Sequence, residues 1–330
     1  MAQELLEIKN LTVGFLTENG FAKAADRISL SLRKGQTLCV VGESGSGKSV
    51  ASLAVMRLIE YAGGVIAEGE AYFQGEDLTM KTQDEMRRIR GNKMTMVFQD
   101  PMSALNPVFA VGEQIAESLR LHKQLSRKGA WSRAVDMLRL VGIPDPEARA
   151  RQYPHEMSGG MCQRVVIAMA LACDPELVIA DEPTTALDVT VQAQILELMQ
   201  KLKRELGMSI LLITHDMGVA AEMADRIAVM YAGVIVEEGT AEDIFERPRH
   251  PYTLGLLKSI PGYEGKPGTD LYAIQGHIPG IGELPTGCRF HPRCSHARDR
   301  CLREEPPLLP TMDGHRSACW LESGPEVKTS

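Results

Sequence analysis

The sequence predicts an α/β protein with a mostly parallel sheet, an antiparallel β subdomain, a helical insert and a cysteine-rich C-terminal extension. Three observations support this fold class. A strand, a glycine-rich loop and a helix follow one another between residues 37 and 59, and strands alternate with helices between residues 177 and 236. Helical patterns fill the segment between about residues 100 and 157. Four of the seven cysteines lie at Cys288, Cys294, Cys301 and Cys319.

Composition excludes several classes of protein. Apolar residues make up 44% of the 330 residues and charged residues 24%, so the chain is neither mainly disordered nor collagen-like. The net charge of −7 gives no electrostatic reason to expect nucleic-acid binding. The uncharged apolar run Ile227–Val236 is about half as long as a membrane-spanning helix requires, and the N-terminal residues lack the pattern of a signal peptide. We therefore expect a cytoplasmic chain that does not cross a membrane.

The first predicted elements are strands. Arg27–Arg33 alternates apolar and polar side chains, which is typical of a half-buried antiparallel strand. Thr37–Val41 is continuously apolar, which is typical of a fully buried strand. Apolar residues continue through Val50–Ile59, which we predict to be a helix. Strand, loop and helix in this order open an α/β unit.

The same alternation returns after residue 177. Leu177–Ala180 is predicted to be a buried strand, and residues 190–206 place apolar side chains on one helical stripe that ends at Gly207. Strands that alternate with helices favour a mostly parallel sheet covered on both faces. The further predicted elements are a strand at Ser209–Thr214, a helix at residues 216–225, and a hairpin of Ile227–Tyr231 and Val234–Val236.

We predict two domains. Residues 1–255 form the α/β domain, into which a helical subdomain at about residues 100–165 is inserted, with helices near residues 112–123 and 131–141. Proline, glycine and arginine become frequent after about residue 250, and the periodicity fades. We therefore interpret residues 256–330 as a separate extension.

A glycine-rich loop follows the buried strand and matches G-x-x-x-x-G-K-[ST] at every fixed position. Glycines let the backbone wrap around phosphate oxygens, so that successive N–H groups point at them, and the next helix adds its positive end. Lys48 is predicted to reach the β- and γ-phosphates, and Ser49 to complete Mg²⁺ coordination. The predicted nucleotide-binding residues of this loop are Gly42, Glu43, Ser44, Gly45, Ser46, Gly47, Lys48 and Ser49.

Two adjacent carboxylates follow the strand Leu177–Ala180. The carboxyl end of a strand in an open α/β sheet faces the ligand crevice. Asp181 is therefore predicted to hold Mg²⁺, directly or through water, and Glu182 to orient or deprotonate the attacking water. A helix-capping pair is the alternative interpretation of these two acids.

Further motifs complete a family pattern. Met157–Met161 contains Ser-Gly-Gly before a helix, Gln99 follows a short strand, Ala186–Asp188 follows the acidic pair, and His215 follows the strand Ser209–Thr214. In order and spacing, residues 5–240 resemble an ATP-binding cassette (ABC) ATPase, with its Q-loop, signature, D-loop and H-loop. The resemblance implies a P-loop NTPase fold that hydrolyses ATP with Mg²⁺.

The resemblance also implies roles for single residues. Gln99 senses the γ-phosphate and Mg²⁺, His215 contacts the γ-phosphate and acts with Glu182, and Phe15 stacks on adenine, with Phe21 as the alternative aromatic residue. Ser158, Gly159 and Gly160 bind the nucleotide of a second cassette, and Asp188 contacts that cassette. The usual signature is L-S-G-G-Q, and Met161 in place of Gln lacks the side-chain amide.

Two segments narrow the resemblance. Phe98–Pro107 and Arg249–Thr253 are similar to the ATPases of dipeptide and oligopeptide permeases, the DppD/OppD type. This implies an ATPase peripheral to the cytoplasmic face of the inner membrane that powers an importer. Its partners are then a second and different cassette, two transmembrane permease subunits and a solute-binding protein, without nucleic acid. The transported solute stays open.

The main alternative is a soluble, non-transport ABC ATPase such as a translation or DNA-repair factor. Translation-type proteins carry two cassettes in one chain, whereas this sequence has one phosphate loop. Repair-type proteins insert long coiled coils, whereas the helical insert here is short. The net negative charge also disfavours nucleic acid.

The four C-terminal cysteines indicate a metal centre, because disulfides are not the default in a reducing cytoplasm. Five, six and seventeen residues separate Cys288, Cys294, Cys301 and Cys319, so the closely spaced pair usual in zinc sites is missing. Four cysteinates fit a [4Fe–4S] cluster, and members of the peptide-permease group are similar here. Two alternatives stay open: a zinc site with His291 or His296 as further ligands, and four free thiols. The cysteine-rich segment could also act as a redox or metal sensor that gates the ATPase, and this role is compatible with transport.

Overall fold

The computed structural model describes residues 4–18, 20–185, 187–260, 272–311 and 315–323. In chain order the strands are β1 (Glu4–Thr17), β2 (Gly20–Arg33), β3 (Thr37–Val41), β4 (Gly64–Phe73), β5 (Glu76–Asp77), β6 (Met94–Val97), β7 (Leu177–Asp181), β8 (Ser209–Thr214), β9 (Arg226–Tyr231), β10 (Val234–Thr240), β11 (Leu309–Pro310) and β12 (Arg316–Ser317).

The α-helices are α1 (Lys48–Val55), α2 (Gln83–Ile89), α3 (Pro101–Ala104), α4 (Val111–Lys123), α5 (Arg127–Leu140), α6 (Pro146–Arg149), α7 (Gly159–Leu171), α8 (Val189–Leu206), α9 (Met217–Met223), α10 (Ala241–Glu246), α11 (Pro251–Lys258) and α12 (Asp299–Arg303). Short 3₁₀ helices occupy Ile59–Ala62, Pro154–Glu156, His291–Arg293 and Trp320–Ser323. Among the predicted elements, the strands at residues 177 and 209, the helices near 112 and 190, and the hairpin near 227 are confirmed.

The chain divides into two compact units. The first comprises Arg33–Gln36 and Met80–Leu212, and the second comprises Glu4–Leu32, Thr37–Thr79 and the described residues from Ile213 onwards.

The second unit contains two β-sheet regions. In one, β2, β1, β4 and β5 lie in that order, with antiparallel pairing of β1 with β4 and of β4 with β5. In the other, β3 pairs with β9 in parallel, and β9 pairs with β10 as an antiparallel hairpin. All five residues of β3 are buried, as the continuous apolar run predicted.

The first unit joins a parallel strand pair to a group of helices. β6 and β7 are parallel, with Val97 opposite Ala180, so the segments that follow both strands leave the same edge. Helices α4, α5 and α7 pack against one another through buried side chains such as Ile115, Leu138 and Val165. This arrangement positions Gln99 and Glu182 near each other.

Two predicted helix boundaries differ from the structure. The helix expected at Val50–Ile59 begins at Lys48 and ends at Val55. It ends there because Arg57 takes a left-handed conformation, with φ of 51°, and its guanidinium donates to the carbonyls of Leu78 and Thr79. The helix expected from residue 131 begins at Arg127, where the Ser126 side chain accepts a hydrogen bond from the Gly129 N–H.

The described part of the C-terminal segment is attached to the sheet of the second unit. In β12, Ser317 pairs with Glu237 and Arg316 pairs with Glu238, and β11 in turn pairs with β12. The predicted boundary between residues 255 and 256 falls within α11. The segment that we interpreted as separate therefore adds edge strands to β10. This pairing is long-range, so the weak periodicity of apolar residues in the segment could not indicate it.

Within the ranges that the structure describes, no helix is both long enough and apolar enough to cross a membrane.

Candidate functional site

The glycine-rich loop joins β3 to α1 in the second unit. A Cβ on Gly42 would lie 2.2 Å from the carbonyl oxygen of Met230, and one on Gly47 would lie 2.2 Å from the carbonyl oxygen of Ala24. No side chain fits so close to backbone, so both positions require glycine. The loop is thus pressed against two neighbouring strands, which fixes its path.

The polar groups of this loop suit an anion. The Lys48 ammonium is buried and donates to the carbonyl oxygens of Gly42 at 2.7 Å and Glu43 at 3.0 Å. The Ser46 hydroxyl is buried and has no hydrogen-bond partner among the described residues. Gly47 precedes α1 and has no side chain to cap it, and the N–H groups in the first turn of an α-helix have no partner within the helix. A cation, a hydroxyl and helix N–H groups together fit the phosphates of a nucleotide.

The remaining loop residues are exposed or half-buried. Ser44, Gly45 and Ser49 are exposed, and Ser49 lies in the first turn of α1. The Glu43 N–H donates to the Tyr252 hydroxyl at 2.9 Å. The Glu43 carboxylate accepts two hydrogen bonds from Arg293, at 2.7 and 3.0 Å.

The candidate aromatic and histidine residues also lie in the second unit. Phe15 is half-buried on β1, opposite Gly64 of β4. Phe21, on β2, is 37% exposed, and its ring lies over Gly14. His215 is exposed directly after β8. Adenine stacking by Phe15 or Phe21 stays a prediction.

The acidic pair lies at the end of β7 in the first unit. Asp181 and Glu182 are 7% and 9% exposed. Glu182 adopts φ of 46°, which is rare for a residue with a side chain. Its Oε2 accepts hydrogen bonds from Gln99 Nε2 at 3.2 Å and Thr185 Oγ1 at 2.9 Å. Two of the predicted site residues are thus in direct contact, and a third side chain orients the carboxylate.

The predicted signature segment is also in the first unit. Ser158 is the N-cap of α7, and its side chain accepts from the Met161 N–H at 3.4 Å. Ser158 and Gly159 are exposed. A Cβ on Gly160 would lie 2.8 Å from the Val191 side chain, so this glycine lets α7 approach α8 closely. The start of α7 is therefore exposed at Ser158 and Gly159, while Gly160 packs against α8.

Asp188 begins α8 close to this segment. Its carboxylate accepts from the Val191 N–H at 2.9 Å, so it is the N-cap of α8. Both Asp188 and the following Val189 are exposed, the latter by 84%. Ala186, which belongs to the same predicted motif, lies outside the described residues.

The four C-terminal cysteines come together in the second unit. They are half-buried free thiols that line one small cavity of about 20 Å³, together with His291 and His296. Burial raises the pKa of Cys288 and of Cys319 to about 11. Over the described ranges, however, no group of three or more His, Cys, Asp or Glu side chains is arranged to hold a metal ion. Neither the iron–sulfur prediction nor the zinc prediction is confirmed.

Sequence reasoning missed three residues that contact the predicted site. Thr185 follows Glu182 by three positions, so a hydroxyl at that spacing was a usable local signal. Tyr252 and Arg293 reach Glu43 from 209 and 250 positions away. No spacing rule connects residues so far apart in the sequence.

Two protein-family models match the chain. The model described as ABC transporter matches residues 25–185, and the one described as oligopeptide/dipeptide transporter, C-terminal region, matches residues 236–301. The first match contains the glycine-rich loop and the acidic pair, and the second contains Cys288, Cys294 and Cys301.

Curated proteins and solved structures extend the comparison. The chain is 52% identical over 317 residues to the oligopeptide transport ATP-binding protein OppD of Bacillus subtilis, covering 96% of this chain and 88% of that protein. It is 52% identical over 305 residues to the dipeptide transport ATP-binding protein DppD of Haemophilus influenzae, covering 92% of each. It is 29% identical, with a TM-score of 0.64, to the ATP-binding cassette MJ0796 in a dimeric post-hydrolysis state bound to ADP and Pi. That match covers 72% of this chain and 98% of that chain.

Proposed function

Because the chain belongs to the ATP-binding proteins of ABC transporters, we propose that it is the ATP-hydrolysing subunit of an importer for dipeptides, oligopeptides or a related small solute. One observation carries this proposal. The similarity to peptide transport ATP-binding proteins runs through the cassette and continues into the cysteine-rich segment. An ABC ATPase with another function would not be expected to match the C-terminal region of oligopeptide/dipeptide transporters as well.

We assign nucleotide binding to Gly42–Ser49. Lys48 and the N–H groups at the start of α1 bind the β- and γ-phosphates, because they supply a cation and aligned donors on a loop of fixed path. Ser49, Asp181 and Gln99 supply oxygen ligands of the kind that Mg²⁺ prefers. These residues would hold Mg²⁺, whose positive charge would neutralise charge on the transferred phosphoryl group.

Glu182 is assigned as the group that orients and deprotonates the attacking water. A buried carboxylate held by Gln99 and Thr185 has one preferred direction, and a general base needs such positioning before its basicity matters. His215 is assigned a γ-phosphate contact from its place in the family motif.

A second cassette is proposed to dock on the signature side of the first unit. Ser158 and Gly159 present the open end of α7, and Asp188 and Val189 are exposed beside them. Exposed N–H groups at a helix N-terminus suit the phosphate of a nucleotide held by another chain. Met161 provides no side-chain amide at this point, so the contact depends on Ser158 and the backbone.

Two permease subunits are the further partners that we propose. The segment around Gln99, residues 98–109, exposes several large apolar side chains, which water does not favour and which a protein partner would cover. These are Phe98 (39% exposed), Met102 (46%), Val108 (70%) and Phe109 (52%). The permeases would hold the chain at the cytoplasmic face of the inner membrane as a peripheral subunit. A solute-binding protein completes the importer.

Affinity purification of the tagged chain from detergent-solubilised native membranes tests this function. The proposal predicts two permease subunits, a second cassette and a solute-binding protein among the co-purifying chains. Recovery of ribosomes or DNA-repair proteins without a membrane partner would support the non-transport alternative, which the family comparisons do not favour.

We also propose that Cys288, Cys294, Cys301 and Cys319 bind a [4Fe–4S] cluster. Support comes from the donor chemistry, since four thiols on one cavity are the ligand set of such a cluster, and from the sequence spacing. Its role would be to fasten a segment with little core of its own.

Iron and acid-labile sulfide analysis of the anaerobically purified chain tests the cluster. Four of each per chain, lost in Cys294→Ser but kept in the matched variant Cys173→Ser, is the expected result. Stoichiometric zinc would replace this assignment with the zinc alternative, and absence of both metals would leave free thiols.

A further inference from the structure

Glu43 is a centre of hydrogen bonding within the phosphate-binding loop. Its carbonyl oxygen accepts from the Lys48 ammonium at 3.0 Å and from the Ser46 N–H at 3.2 Å. Its own N–H donates to the Tyr252 hydroxyl at 2.9 Å. A displacement of this one residue therefore moves the lysine and the serine that face the phosphates.

The Glu43 carboxylate is held by a residue of the C-terminal segment. Arg293 donates from Nη1 to Oε2 at 2.7 Å and from Nη2 to Oε1 at 3.0 Å. This bidentate geometry is the strongest and most directional form of an arginine–carboxylate contact. The Arg293 side chain is 4% exposed, whereas that of Glu43 is 34% exposed, so the guanidinium is the more buried partner.

The same guanidinium is fixed from its other side. Arg293 Nε donates to the Gln275 carbonyl at 2.9 Å, and Nη2 donates to the Ile274 carbonyl at 3.3 Å. Its position is thus set by backbone of the C-terminal segment and not by the loop alone. Arg293 also directly precedes Cys294, one of the four cysteines around the small cavity.

Aromatic packing provides a second connection between the same segments. The Phe290 ring lies 5.4 Å from the Tyr252 ring and 5.2 Å from the Tyr231 ring, centroid to centroid. Tyr252 is the residue whose hydroxyl accepts from the Glu43 N–H. Both the backbone and the side chain of Glu43 are therefore held by groups that the C-terminal segment positions.

We propose that Arg293 is a positioning residue for ATP binding: it neutralises Glu43 and holds the phosphate-binding loop in its binding conformation. An unpaired carboxylate on this loop would repel phosphate, and an untethered Glu43 would release Lys48 from its fixed place. The inference rests on the proposed function, since it concerns the affinity of the same loop for ATP. It gives the C-terminal segment a direct influence on nucleotide affinity.

Equilibrium titration of the full chain with a fluorescent ATP analogue tests the proposal. Arg293→Met is expected to raise the Kd about ten-fold, because a charge-assisted bidentate contact is lost and a negative charge is uncovered. Arg293→Lys keeps the positive charge but cannot make the bidentate contact, so its Kd is expected to lie between those of wild type and Arg293→Met. Arg298→Met, which removes an exposed arginine from the same segment, is the matched control and leaves the Kd unchanged.

A double-mutant cycle separates positioning from a general loss of structure. In the Glu43→Gln background, Arg293→Met is expected to change the Kd less than about three-fold. In the assembled transporter, Arg293→Met raises the KM for ATP and leaves kcat nearly unchanged, whereas partial unfolding would lower kcat at constant KM.

The outcomes distinguish this inference from the proposed function. A wild-type chain that does not bind ATP would overturn both. A wild-type chain that binds ATP with the same Kd as Arg293→Met, or an Arg293→Met effect that persists in full with Glu43→Gln, would overturn the inference alone. If Arg293→Met does not fold, the single variants Glu43→Gln and Arg293→Lys are compared with the double variant. The positioning role requires that the effects of the two substitutions on the Kd are not additive.

Discussion

Gln99 Nε2 donates a hydrogen bond to Glu182 Oε2 over 3.2 Å. These residues follow two parallel strands, β6 and β7, which bring them to one edge of the sheet although they are 83 positions apart in sequence. Thr185 donates to the same carboxylate oxygen. The direction of the Glu182 carboxylate is thus set by two other side chains of the first unit.

Glu182→Gln is expected to keep ATP binding and reduce kcat by at least about a hundred-fold, because the amide cannot accept a proton from water. Its size and its hydrogen bonds to neighbours are largely kept. Steady-state ATPase assays and nucleotide titrations of the same preparation measure the two quantities. Hydrolysis at the wild-type rate would show that another residue is the base.

Lys48→Ala is expected to have the opposite signature, with weaker ATP binding as the main defect. The ammonium is the one cation that the loop itself supplies to the phosphates. Titration with the same nucleotide would show a Kd at least about ten-fold higher than that of Glu182→Gln. Equal affinities in the two variants would refute the assignment of Lys48.

Thr185→Val is expected to lower kcat several-fold while the KM for ATP stays near the wild-type value. The substitution removes the hydroxyl that holds Glu182 Oε2 and keeps the shape of the side chain. Thr190→Val, an exposed threonine in the first turn of α8, is the matched control. If both variants have wild-type kcat, Thr185 does not position the carboxylate.

Arg289→Met is expected to destabilise the second unit by about 2 kcal/mol, because it removes the buried guanidinium from the buried Asp26 carboxylate, which then keeps only the more exposed Lys23 and Arg27 as cationic partners. The Arg289 and Asp26 side chains are 8% and 5% exposed, and Arg289 also donates to the Ala232 carbonyl at 2.7 Å. Urea unfolding measures the change. Asp26→Asn in the same chain is expected to restore part of the loss, and simple additivity of the two substitutions would contradict a direct pair.

His250 gives the chain a predicted pH dependence. Burial lowers its pKa from 6.5 to about 4, and its Nδ1 accepts from the Tyr252 N–H at 3.1 Å. The unfolded chain therefore binds a proton at a higher pH than the folded chain does. Stability is full above pH 6.5 and falls as the pH drops toward 4, by about 2 kcal/mol between pH 6.5 and 5.

His250→Asn is expected to flatten this pH dependence, since asparagine can still cap α11 but does not titrate. The free energy of unfolding is compared at the two pH values for wild type, His250→Asn and the exposed-histidine control His277→Asn. A wild-type pH dependence in His250→Asn would show that other groups are responsible.

Features that depend on neighbouring residues could be predicted from the sequence pattern. The loop at Gly42–Ser49 was identified from its spacing, and the structure adds the reason for two of its glycines, which pass within contact of Ala24 and Met230. Buried strands such as β3 and β7 were predicted from continuous apolar runs, because burial on both faces removes the alternation. Helix ends were less predictable, since Arg57 ends α1 through contacts with the distant carbonyls of Leu78 and Thr79.

Long-range pairs account for what the sequence did not predict. The C-terminal segment has weak periodicity, yet Arg289 pairs with Asp26, Arg293 with Glu43 and His315 with Glu237. Each pair joins polar side chains at least 78 positions apart, so no local spacing connects them. At least one partner of each pair is buried, which appears only once the fold is known. A segment with little apolar core is thus attached by long-range polar pairs, by edge strands and by the buried Phe290 ring.

ATP-dependent uptake of labelled di- and oligopeptides into proteoliposomes that contain the purified transporter tests the central claim most directly. The expected result is uptake that requires ATP and stops when Glu182→Gln replaces the wild-type chain. Peptide uptake that continues at the wild-type rate with Glu182→Gln would contradict the proposed function, and so would ATP hydrolysis by the wild-type complex without movement of any peptide or of the small solute that its solute-binding protein carries.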